Sequence, residues 1–91
     1  MYEITDYTRH KAKELGVEVK PSTNPKKKID IFKNGKRIAS IGAYGYMDFP
    51  NYLEKNGKAY AENRRRLYKI RHQKDRVKIG SNGWYSDNLL W

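Results

Sequence analysis

The chain contains no cysteine, so neither a disulfide nor a thiolate metal site is available to it. Its two histidines, His10 and His72, are far apart in sequence and neither sits at a metal-ligand spacing. The ten carboxylates are scattered, without a D-x-D or E-x-x-H arrangement. Ser22, Ser40, Ser81 and Ser86 lack the strand-turn-helix context of a nucleophile. No apolar run approaches the length of a membrane span, and no signal-like apolar stretch follows Met1. The expectation is a protein without enzymatic activity, cofactor or metal, with no membrane partner, made and used inside a cell or a particle.

Acidic residues are also scarce relative to basic ones: 20 Lys and Arg face 10 Asp and Glu, a net charge of +10 over 91 residues. That balance points to a polyanion or an acidic protein surface as partner. The charge is concentrated. Between Arg64 and Lys78 stand Arg64, Arg65, Arg66, Lys69, Arg71, Lys74, Arg76 and Lys78 against Asp75 alone, a net seven of the ten. A solvated helix face rarely carries so much charge of one sign, so the segment is expected to be a binding surface. Lys26, Lys27, Lys28, Lys33 and Lys36 form a second basic region, of which Lys28, Lys33 and Lys36 are taken as its contacts. The neighbouring pairs "RH" and "KD" would suit a nuclease only if carboxylates converged on a metal, and Asp75 is the only carboxylate there.

Length allows one small domain with a thin core, since a chain of this size buries only about 60–65% of its unfolded surface. The eight Tyr and two Trp supply bulky apolar area to compensate. Thr5 or Asp6 can cap a first helix through "DYTRHKAKEL", with Gly16 as its stop. "VEVKPSTNP" reads as extended chain and then loop, because Pro21 and Pro25 do not fit inside a helix.

The clearest local signal is "KKKIDIFKNGKRIASIGA". Asn34-Gly35 suits a two-residue type I′ turn, in which both positions need positive φ. An unbroken register would then pair Phe32 with Arg37, Ile31 with Ile38 and Asp30 with Ala39. That places Ile29, Ile31 and Ile38 on the core face and Phe32, Ala39 and Ile41 on the other. Beyond it, Asp48 can cap a short helix with Pro50 in its first turn, ending at Asn56-Gly57. A long basic helix is expected over 59–78, burying a stripe of Tyr60, Leu67, Ile70 and Val77. Gly80–Gly83 reads as a plain turn rather than a phosphate cradle. The fold class is therefore α+β: a single domain, 1–91, with an N-terminal helix and loop (1–25), a β-hairpin (26–43) that stands alone or joins a small antiparallel sheet, a short helix and a long basic helix (44–79), and an aromatic tail (80–91).

Trp84, Leu89, Leu90 and Trp91 concentrate apolar area at the end of the chain, where most sequences are polar and frayed. The tail is expected to dock, with Trp91 buried, on the chain's own hairpin in preference to a neighbour. Tyr44, Tyr46, Phe49 and Tyr52 lie between the two basic regions, where they either fill the core or stack on bases.

From Lys27 onward, "KKIDIFKNGKRIASIGAYGYMDFPNY", "RRRLYKIRHQKDR" and "GSNGWYSDNLLW" resemble a family of small basic proteins of large double-stranded DNA viruses and tailed phages, including the crAss-like group. The resemblance implies a viral context and carries over no catalytic residue. It narrows the partner to a packaged genome, a capsid shell, or both. Two roles follow. One is a structural protein of the virion, a minor or auxiliary capsid component whose basic faces bind acidic neighbours. The other is a nucleic-acid-binding protein that contacts the DNA or RNA backbone without strong sequence specificity. The corresponding location is the virion, and the host cell interior during assembly.

Overall fold

A computed structural model describes residues 1–91. The chain is α+β and divides into two compact units, Met1–Tyr46 and Met47–Trp91. Each unit holds ten Lys and Arg against five Asp and Glu, a net +5 in each.

The first unit opens with α1 (Asp6–Leu15). Thr5 caps it, its hydroxyl accepting from the Thr8 N–H at 3.2 Å. Gly16 ends it at φ 72°. The Val17 and Gly16 N–H groups then bond back to the Ala12 and Lys13 carbonyls, a Schellman closure. The helix buries Thr8 and Ala12 and packs on β1 (Glu18–Pro21). With β2 (Lys27–Lys33) and β3 (Lys36–Ala43) this strand makes an antiparallel sheet in the order β1-β2-β3. The expected hairpin is its β2–β3 half, turning at Asn34 (φ 53°) and Gly35 (φ 76°).

The register is not the unbroken one. Phe32 pairs with Arg37, but Ile31 pairs with Ala39, Asp30 with Ser40 and Ile29 with Ile41. Ile38 is the extra residue of a β-bulge and is 41% exposed. The apolar face is therefore Ile29, Ile31, Ala39 and Ile41, all buried; Ile38 does not belong to it. The reason is side-chain matching. An unbroken ladder would have set Ser40 opposite Ile29 and brought Ile41 onto the face of Asp30. One bulged residue flips the rest of the strand, so apolar meets apolar and Asp30 meets a hydroxyl.

The second unit is helical. Asp48 caps α2 (Phe49–Asn56), accepting from the Asn51 N–H, with Pro50 in the first turn as expected. Gly57, at φ 88° and ψ 169°, joins it directly to α3 (Lys58–Arg71), a backbone conformation essentially reserved for glycine. The two helices pack on each other, with the Tyr52 and Tyr60 rings 5.6 Å apart.

Here the structure departs from the sequence-based expectation three times. The basic helix stops at Arg71 rather than running to Lys78, and turns follow to Gly80. The freed Lys69 carbonyl accepts from the Arg76 guanidinium at 3.1 Å, which supplies a partner the helix would otherwise have given. The aromatic end is a helix, α4 (Asn82–Leu90), capped by Ser81. Its Gly83 sits against Asp75, where an added Cβ would lie 2.8 Å from the Asp75 Cβ. Leu89 and Leu90 are buried, whereas Trp91 is only half-buried. The rings that Trp91 meets are Tyr68 and Tyr52, on α3 and α2.

Candidate interaction surface

The eight basic residues of 64–78 separate into two groups once α3 is in place. Four are tied down within the second unit. The Arg65 guanidinium lies over the Phe49 ring at 4.0 Å and that of Arg64 over Tyr52 at 5.4 Å. Lys69 pairs with Asp87 at 2.7 Å, a contact that links α3 to α4, and Arg76 closes the end of α3. These side chains cover aromatic rings with their stems and planes as much as they present charge. Arg66, Arg71, Lys74 and Lys78 are exposed; Arg66 donates to the Asn63 side chain one turn back at 2.9 Å.

The apolar residues of α3 are not where their spacing suggested. The helix buries Ala61 and Tyr68. The stripe expected to be inside is outside: Tyr60 is 47% exposed, Leu67 40% and Ile70 59%, and Val77 and Ile79 beyond the helix are also exposed. The reason lies in the rings. Trp91 stacks on Tyr68, while Arg65 and Arg64 lie over the Phe49 and Tyr52 rings, so the contacts that hold α3 gather on the face of Ala61, Arg65 and Tyr68. The resulting face carries Leu67 and Ile70 beside Arg66 and Arg71.

In the first unit, the hairpin-tip Lys33 and Lys36 face one another and are exposed. Lys28 is not part of that surface. It is only 4% exposed, with its ammonium 5.3 Å from the centre of the Tyr2 ring. Of the interleaved aromatics, Phe49 is buried and Tyr52 half-buried, while Tyr44 and Tyr46 are exposed. A cleft of about 310 Å³ lies among Tyr2, Tyr44, Pro25 and the Ser22–Asn24 loop, with Lys27 as its one charged side chain.

One buried carboxylate, placed by the sequence only in the hairpin register, was given no role there. Asp30 is buried on β2, where its carboxylate accepts from the Ser22 hydroxyl at 2.6 Å and the Ser40 hydroxyl at 2.7 Å. The Thr23 N–H at 3.4 Å and Arg37 at 3.9 Å complete its surroundings. Burial alone would push its pKa up; the two hydroxyls, the N–H and the guanidinium outweigh that and hold it below the ordinary value. The carboxylate fastens β2 to β3 and to the residue that leaves β1. The only signal for it was the Asp-in-strand pattern of "IDI" opposite "ASI".

The other ionisable contacts are local. His10 meets Glu14 at 3.3 Å and His72 meets Asp75 at 3.7 Å, each within one helical or near-helical turn. No three His, Asp or Glu side chains converge as metal ligands would. The expected turn over Gly80–Gly83 is met only at Gly80 and Ser81, since Asn82 and Gly83 already open α4; the Ser81 hydroxyl accepts from the Trp84 N–H at 3.1 Å and donates to the Lys78 carbonyl at 2.7 Å. No helix is long and apolar enough to cross a membrane. Comparison with protein-family models, curated proteins and solved structures found no match to the chain.

Proposed function

We propose that the chain is a non-enzymatic structural protein of a virus particle, an auxiliary component that binds an acidic protein neighbour. The observation that carries this reading is the composition of the open face of α3. Tyr60, Leu67 and Ile70 are exposed there beside Arg66 and Arg71. Aromatic, apolar and arginine side chains together are the make-up of a protein–protein contact. A phosphate backbone requires cations and leaves Leu and Ile without a partner. The viral setting is part of the proposal and rests on the sequence motifs of Lys27–Trp91 alone.

A second reading, binding to a nucleic acid, is favoured by Tyr44 and Tyr46, both exposed shortly after the hairpin lysines, where rings can stack on bases.

Quantitative proteomics of purified particles tests the first reading. The chain is expected in fixed ratio to a shell protein. Its absence from particles overturns the proposal. Salt dependence separates the partners: about five neutralised phosphates give a slope of about −4.5 in log K against log salt, whereas a contact resting on Leu67 and Ile70 gives a much shallower one. Neutralising Arg66, Arg71 and Lys74 together is expected to weaken capture far more than neutralising Lys11, Lys13 and Lys20; equal losses would mean that the charge acts only as a diffuse field.

A further inference from the structure

Helix α3 carries two seams; the second unit packs along one and touches the other only at Tyr60, whose ring lies 5.6 Å from that of Tyr52. The used seam runs through Ala61, Arg65 and Tyr68. The other runs through Tyr60, Asn63, Leu67 and Ile70, at successive spacings of three, four and three residues. These are the a and d positions of two heptads, the pattern by which one helix seats its side chains between those of another. All four are exposed. The flanking e and g positions are Arg64, Arg71, Ala59 and Arg66, so three of four are arginine. Arg66 and Arg71 are exposed, and Arg64 is half-buried against Tyr52.

We propose that this seam is the docking site for an acidic amphipathic helix of a different protein, one that places apolar residues on Tyr60, Leu67 and Ile70 and Glu or Asp against Arg66, Arg71 and the outer edge of Arg64. The inference rests on reading this face as protein-binding. The charges decide the occupant. If a second copy of the chain paired through the seam, Arg66 would face Arg71 in a parallel arrangement, and arginine would face arginine in an antiparallel one. Like charges at these positions oppose association. A partner with carboxylates there converts the repulsion into bidentate Arg–carboxylate contacts. Asn63 between the apolar residues selects register at some expense of affinity, as a polar residue in such a seam does. With 14 residues, α3 is about 21 Å long. Two heptads of contact suit a short helix laid on a face more than an extended coiled coil.

The probe is a synthetic three-heptad peptide with Leu at a and d and Glu at e and g; the control carries Lys at e and g. Each is titrated into the isotope-labelled full chain and followed by amide NMR. The Glu peptide is expected to give saturable shifts centred on residues 59–71, and the Lys peptide none. Leu67→Asp is expected to weaken binding at least about tenfold, the equivalent of losing one buried leucine. Arg66→Glu with Arg71→Glu is expected to reverse the preference toward the Lys peptide. All three side chains are exposed, so the variants are expected to melt as the parent does, which a thermal scan verifies. Failure of both peptides to bind overturns the proposal, as does equal binding of both, a response centred on the hairpin, or a Leu67-dependent dimer of the chain alone in sedimentation. A single-stranded oligonucleotide that shifts 59–71 in place of the Glu peptide overturns it in favour of nucleic acid. If the peptide fails while the chain is present in particles, this inference falls and the structural role stands; if the peptide binds and particles lack the chain, the reverse holds.

Discussion

Tyr68 and Trp91 lie face to face, with ring centroids 4.4 Å apart and planes 8° from parallel. The pair joins α3 to the end of α4. It sits where Leu89 and Leu90 are buried and Lys69 meets Asp87. Burial pushes the Tyr68 hydroxyl pKa up, and the nearby Asp87 charge adds to this, so the ring stays neutral and packed through the physiological range. A stacked aromatic pair contributes about 0.5–1.5 kcal/mol beyond the area it buries.

Removing this end is accordingly expected to dismantle the second unit. Leu89 and Leu90 are each worth about 1.5–3 kcal/mol when fully buried, a sum that rivals the whole stability of a small domain. Deleting 89–91 is expected to abolish cooperative melting of the second unit, followed by near-UV circular dichroism of its aromatic side chains. Trp91→Ala, which leaves both leucines, is expected to cost about 2 kcal/mol. A truncated chain with an unchanged transition would show that the end of the chain is not docked.

Asp30 makes acid stability specific to one residue. Its folded-state pKa is below the unfolded value, so its contribution is fully present above the ordinary carboxylate range and is lost as the pH falls through the folded pKa. Asp30→Asn is expected to flatten the acid limb of the stability curve and to lower stability at neutral pH, because the amide oxygen can replace the oxygen that accepts from Ser22 and Ser40, but the uncharged NH2 then meets the Thr23 N–H and Arg37 donor to donor. Urea midpoints between pH 2 and pH 7 measure both effects. Parallel curves for the two proteins would assign the acid sensitivity elsewhere.

The bulge in β3 separates two isoleucines that an unbroken ladder would have ranked the other way. Ile41 is buried opposite Ile29, and Ile38 is the exposed extra residue. Ile41→Ala is expected to cost about 2–5 kcal/mol, and Ile38→Thr less than about 0.5 kcal/mol. A larger loss from Ile38→Thr would restore the unbroken register.

Gly83 pits helix propensity against space. Alanine in a helix is better than glycine by about 1 kcal/mol. Yet its Cβ would stand 2.8 Å from the Asp75 Cβ and 2.9 Å from that residue's carbonyl. Backbone gives way poorly, and overpacking of this kind costs about 1–3 kcal/mol. Gly83→Ala is therefore expected to lower the melting temperature. An increase would mean that propensity alone governs α4.

Local signals in the sequence were sufficient for whatever depends on a few neighbouring residues. Thr5 and Gly16 bound the first helix, Asp48 and Gly57 the second, and Asn34-Gly35 the hairpin turn, because caps and positive-φ turns are satisfied within about four residues of chain. The α+β class and the basic character of 64–78 were equally legible. What required tertiary structure was every choice between near-equivalent faces. Ser40 rather than Ile38 counts along β3 because a buried Asp30 needs a second hydroxyl, a demand that arises only when the strands meet. The seam of α3 that faces inward is the one with Ala61 and Tyr68 because Trp91 stacks on Tyr68 there and Arg65 covers Phe49 of α2. That choice leaves Leu67 and Ile70 exposed, with Tyr60 half exposed beside Tyr52, and sorts eight basic side chains into four that tie the unit together and four that are exposed. The spacing of apolar residues gives the period of a helix, but which of its stripes is buried depends on the shape of what packs against it.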